Sequence, residues 1–125
     1  GGLLSDDSWR FFNRPAMVIT GSEDTSPLES NAGKDAEWRL EAWYNLPAGN
    51  KYLVFIEGAG HSFGGISGIA WTGSGPANED HVSYVKTSAL AFWDSYLLGS
   101  MTATAYLESE DLELVSQAVA RLNSK

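Results

Sequence analysis

The chain has 125 residues, of which 43% are hydrophobic, 12% aromatic and 19% charged, with a formal net charge of −8. That balance describes one domain, or a piece of one, folded around a core; a disordered chain would carry fewer aromatics and more charge. The eight basic residues are scattered, which argues against the Lys/Arg footprint of a nucleic-acid binder, and no apolar run approaches the roughly 20 residues of a membrane span.

The absence of cysteine excludes disulfides and thiolate chemistry. The opening stretch, GGLLSDDSWRFFNRP, lacks Met and enters directly into folded-looking sequence, so the chain reads as an incomplete single domain over 1–125. PAMVIT (15–20) is a short continuous apolar run ending at Gly21, the pattern of a strand buried on both faces. GSEDTSP (21–27) is turn chemistry. A helix is expected from about Asp35 to Asn45, with Trp38, Leu40, Ala42, Trp43 and Leu46 toward its buried side, before LPAGN (46–50) breaks the chain.

KYLVFIE (51–57) is a second apolar run, rich in β-formers and too short for a globular helix. Strand, helix and strand in this order predict a βαβ unit with two parallel strands. From Gly58 to Asn78 the chain is Gly-rich and reads as a long loop. Asn78 has the character of an N-cap, with Glu79 and Asp80 in the favourable first turn, and the helix is expected to run to Leu98 and stop at Gly99. Its expected buried stripe is Val82, Val85, Ala89, Phe92, Trp93, Tyr96 and Leu97. A last helix is expected over Ser109–Leu122, carrying Leu112, Val115, Ala118, Val119 and Leu122.

In a parallel α/β sheet, functional groups gather at the carboxyl ends of the strands. Asp24 stands four residues past the first strand and His61 four past the second, so parallel pairing carries both to one sheet edge. A carboxylate that accepts from one imidazole nitrogen fixes the tautomer and leaves the other nitrogen free as a general base. The plainer alternative is a turn aspartate and an ordinary loop histidine. Glu23 and Glu29 are rival acids for the same role.

GHSFG (60–64) matches the G-x-S-x-G pattern of a hydrolase nucleophile, but FGGISGIAWTGSGP after Ser62 is a poor helix, and a nucleophile elbow opens directly into one. In that fold the acid and the histidine also follow the serine, and downstream of Ser62 there is only His81, adjacent to Asp80, where neighbours on a helix do not face each other. Ser62 is therefore read as a bystander. His61, His81, Asp24 and Asp80 form no compact ligand spacing, so no metal site is expected, and Asp80 and His81 read as a solvated helix start.

RPAMVITGSEDTSP, LPAGNKYLVFIEGAGHSFGG and ALAFWDSYLLGSMTATAYL together resemble the C-terminal part of α/β-hydrolase-fold enzymes, most closely the esterase-like group labelled dienelactone-hydrolase-like. The resemblance covers the chain from about Asp7 onward and implies a three-layer sandwich with a parallel sheet. It places the triad acid on Asp24, the triad histidine on His61 and a packing helix on Phe92–Gly99. No G-x-S-x-G elbow and no oxyanion loop precede Asp24, so the nucleophile is expected in a missing N-terminal half. The implied reaction is hydrolysis of a small carboxylic ester without a cofactor. Phe63 is the candidate for lining the substrate pocket, together with Trp71, which suits either that role or a cover over the sheet edge. Two further readings are a non-catalytic assembly module, self-associating through an exposed sheet edge, and a small hydrolase that uses Ser62.

Overall fold

A computed structural model describes residues 6–25, 34–66 and 76–125. PAMVIT extends into β1 (Ala16–Glu23), preceded by one helical turn, α1 (Asp6–Trp9). The crossover holds a 3-10 segment (Ala36–Leu40) running directly into α2 (Glu41–Asn45). Lys51–Gly60 then forms β2. The long helix α3 (Glu79–Leu98) is followed by α4 (Met101–Leu107), α5 (Asp111–Val115) and β3 (Ala120–Ser124).

The fold is mixed α/β, with a sheet ordered β1-β2-β3. β1 and β2 are parallel, as the strand–helix–strand pattern predicts, and β2 and β3 are antiparallel, so the sheet as a whole is mixed. The expected last helix over 109–122 is corrected here. It ends at Val115, Gln117 and Ala118 take left-handed backbone (φ 54° and 67°), and the chain returns as a strand. Ser116 pins that turn, its hydroxyl accepting from the Ala120 amide at 2.9 Å and donating to the Ala120 carbonyl at 3.0 Å. The cause is tertiary: β2 has a second edge to pair, and ARLNS can pair it while placing Ala120 against the core.

The ends of α3 follow the sequence. The Asn78 side chain accepts from the Asp80 and His81 amides at 3.0 and 3.2 Å, and Gly99 closes the helix at φ 67°. Its buried face differs from the expected stripe. His81, Val85, Ser88 and Phe92 turn inward, whereas Trp93 and Leu97 are 55% and 71% exposed. The helix carries apolar residues on more than one face, and the sheet covers one of them. His81, expected in a solvated first turn, is buried beside Gly58 and Tyr84, while Asp80 is exposed.

One core group joins Val54, Ile56 and Ala59 of β2 to Val85, Leu112 and Ala120; a second joins Tyr52, Phe92 and Leu107. The Tyr52 ring meets Phe92 edge-on at 6.0 Å, and its hydroxyl bonds the Tyr96 hydroxyl at 2.9 Å. β2 is therefore the strand around which the helices and both other strands are organised.

Candidate active site

The site lies where the β1–β2 ladder ends. Pairing runs in regular register from Ala16↔Lys51 to Gly21↔Ile56 and then shifts, with Glu23 opposite Gly60. Without the shift Asp24 would come opposite Ala59; with it, the next residues in line are Asp24 and His61. The extra length is taken up in β2, where Gly58 adopts φ 74°, a conformation that costs glycine little. Gly21 answers from β1: a Cβ there would lie 2.4 Å from the Ala59 carbonyl oxygen and 2.7 Å from that of Ile56.

Asp24 is 3% exposed and its carboxylate is well supplied with donors. Oδ2 accepts from the Thr20 hydroxyl at 3.0 Å, from a residue four places back in β1. Oδ1 faces His61 Nδ1 at 2.7 Å and Arg39 Nε at 3.4 Å. Arg39 Nε also lies 3.4 Å from the Asp24 backbone oxygen, and Nη2 lies 3.3 Å from His61 Nδ1. The guanidinium is held in turn by its stack on Trp38, at 4.5 Å from the ring centre.

His61 opens a run of turns from 61 to 66. The Phe63 amide donates to the Gly60 carbonyl, and the Gly65 and Ile66 amides both donate to that of Ser62. The Asn78 amide donates to the Gly64 carbonyl at 3.0 Å, tying the start of the Gly-rich stretch to the cap of α3. The His61 side chain is 36% exposed, so one edge of the ring rests on buried Asp24 while the side chain keeps access to solvent. With the shortest contact running from Nδ1 to a carboxylate oxygen, the bonded tautomer carries its proton on Nδ1 and leaves Nε2 unprotonated. That arrangement can accept a proton from a hydroxyl and return it to a leaving group.

The structure thus brings Asp24 and His61 together. Glu23 is exposed beside them, and Glu29 and Trp71 lie outside the described residues. Phe63 is half-buried against the main core group. Ser62 is 3% exposed, and turns rather than a helix follow it, which is not the setting of a nucleophile elbow. Among the described residues, no three His, Cys, Asp or Glu side chains cluster as metal ligands, and no helix is long and apolar enough to cross a membrane.

Two residues of this cluster were not legible beforehand. Thr20 looks like the last β-former of an apolar run. Arg39 sits on the crossover, and no spacing ties it to either partner. Comparison with family models, curated proteins and solved structures finds no match to this chain.

Proposed function

We propose that this chain supplies the acid and the base of a serine-type carboxylic-ester hydrolase, with the serine coming from outside these 125 residues. The observation that carries the reading is the 2.7 Å contact of His61 Nδ1 with the buried Asp24 carboxylate at the ends of two parallel strands. The resemblance of GSEDTSP, EGAGH and FWDSYLLG to the dienelactone-hydrolase-like group supports it, as does the burial of Ser62. That group's three-layer sandwich belongs to the same proposal.

In this reading Asp24 orients His61 and stabilises the imidazolium formed during reaction. His61 Nε2 takes the proton of the attacking hydroxyl as its oxygen bonds to the ester carbon. It delivers that proton to the alcohol oxygen as the ester bond breaks, and then activates water to release the acid by the reverse pair of transfers. No cofactor enters this scheme.

Turnover of an activated ester, p-nitrophenyl acetate, by the purified chain tests the base without requiring the serine. Hydrolysis is expected to fall to the buffer rate in His61→Ala and to persist in Ser62→Ala. Equal turnover in His61→Ala and the parent overturns the reading, and so does fluorophosphonate labelling mapped to Ser62.

A second reading, an assembly module, has its own observation. Among the described residues β1 pairs with β2 alone, and between β1 and α3 lies an apolar groove of about 290 Å³ lined by Pro15, Met17, Ile19, Phe92 and Trp93. Concentration-dependent sedimentation, lost on Trp93→Lys, would favour it.

A further inference from the structure

Among the described residues, His61 Nδ1 has two neighbours of opposite hydrogen-bonding character. Asp24 Oδ1, at 2.7 Å, can only accept when ionised, and Arg39 Nη2, at 3.3 Å, can only donate. A single ring nitrogen cannot satisfy both. With the proton on Nδ1, the bond to Asp24 forms and the Arg39 N–H faces another N–H. With the proton on Nε2, Nδ1 accepts from Arg39, and Asp24 loses one of its donors.

The second arrangement is tolerable because Asp24 does not depend on His61. Thr20 donates to Oδ2, and Arg39 Nε stands within reach of both Oδ1 and the backbone oxygen of Asp24. One guanidinium therefore serves as understudy on both sides: it compensates the carboxylate through Nε and offers the imidazole a donor through Nη2. Its place is defined by the Trp38 stack and by its seat on the short 3-10 segment, and its side chain is only 23% exposed.

We propose that Arg39 is a positioning residue that sets the tautomer of His61, dividing the neutral ring between an Nδ1–H form, whose unprotonated Nε2 can act as a base, and an Nε2–H form that cannot. Exchange between them leaves the ring neutral: the Nδ1 proton is released to water and Nε2 takes one from water. The assignment rests on the reading of Asp24 and His61 as a relay and adds to it a device that limits how much of the histidine stands ready as base.

The test is a long-range proton–nitrogen correlation spectrum of the histidine rings in the ¹⁵N-labelled chain, recorded well above the ordinary histidine range so that the rings are neutral. The parent is expected to show His61 nitrogens at averaged positions, reporting both tautomers. Arg39→Met removes the donor, and the Nδ1–H form should rise against the other by about fivefold, the ratio that one ordinary net hydrogen bond produces. Arg39→Lys, which keeps a donor at that side, should retain the averaged pattern, and His81 in the same spectra should not move. The proposal is overturned by identical His61 patterns in the parent and a folded Arg39→Met chain, or by Arg39→Lys behaving as Arg39→Met. Asp24→Asn separates the two levels. If it shifts the His61 tautomer while Arg39→Met does not, the Asp24–His61 pair stands and the role of Arg39 falls. If it shifts nothing, the pair itself is absent.

Discussion

Gly21→Ala is the substitution that most directly probes how the fold builds its site. The added Cβ would lie 2.4 Å from the Ala59 carbonyl oxygen, 2.6 Å from the Ala59 Cβ and 2.7 Å from the Ile56 carbonyl oxygen. Comfortable contact needs about 3.5 Å, so β2 must retreat from β1 by roughly 1 Å at a point two residues before His61. Two of the three obstacles are backbone atoms of the central strand and cannot swing aside. Forcing a methyl into such a place costs about 1–3 kcal/mol, which for a domain of this size lowers the melting temperature by about 4–12 °C. The same displacement would stretch the 2.7 Å contact of His61 with Asp24 beyond hydrogen-bonding distance. Thermal unfolding followed by circular dichroism reads the first effect, and the His61 ring-nitrogen positions in the long-range proton–nitrogen spectrum, which should move toward those of Asp24→Asn, read the second. Adding Ala59→Gly removes the Cβ obstacle and leaves both carbonyl oxygens, so it should restore little of either. A Gly21→Ala chain that melts with the parent and keeps the parent's His61 ring-nitrogen pattern refutes the close approach of the two strands and, with it, the register shift that pairs Asp24 with His61.

Two further predictions concern the start of α3. Asn78→Ala removes the side chain that accepts from the Asp80 and His81 amides and should cost about 1 kcal/mol, or roughly 4 °C in melting temperature, whereas Asn78→Asp should be close to neutral. His81 is held below the ordinary histidine value by burial, with the Asp80 charge opposing part of that shift. The unfolded chain therefore takes up the proton more readily than the folded one. The stability that follows is complete above the ordinary value of 6.5 and is lost as pH falls below it toward the folded-state value. Denaturant midpoints measured from about pH 7 down to about pH 5 should fall, and the decline should be shallower in His81→Gln; an unchanged slope in that variant refutes the assignment.

The elements that the sequence displayed well are those whose signal is local. A continuous apolar run bounded by turn residues marked β1 and β2, and an asparagine with two acidic residues, closed by a glycine twenty-one residues later, marked both ends of α3. These signals work because the unpaired amides at a helix start and the left-handed residue at its end are needs of the backbone itself. The last strand had no such mark. Leu112, Val115, Ala118, Val119 and Leu122 keep helical spacing, yet Val115 is 79% exposed and Leu122 belongs to β3. Pairing the second edge of β2 outweighed a modest helical preference. On α3 the sequence showed more apolar residues than one face can bury, without marking which face meets the sheet.

The candidate site divides in the same way. The residues Asp24 and His61 follow from sequence alone, because two apolar strands in a βαβ order bring their carboxyl ends to one edge whatever the side chains do there. Their contact is a tertiary result. It depends on a register shift between β1 and β2, on a left-handed Gly58, and on the Gly21 gap that admits the Ala59 carbonyl. Thr20 and Arg39 entered with the fold, one through the strand's twist onto its own turn and the other through the crossover that seats its guanidinium beside both members of the pair. Chain order is enough to say which loops share an edge. Which atoms share a hydrogen bond is decided at the scale of an ångström, by packing between segments far apart in the chain.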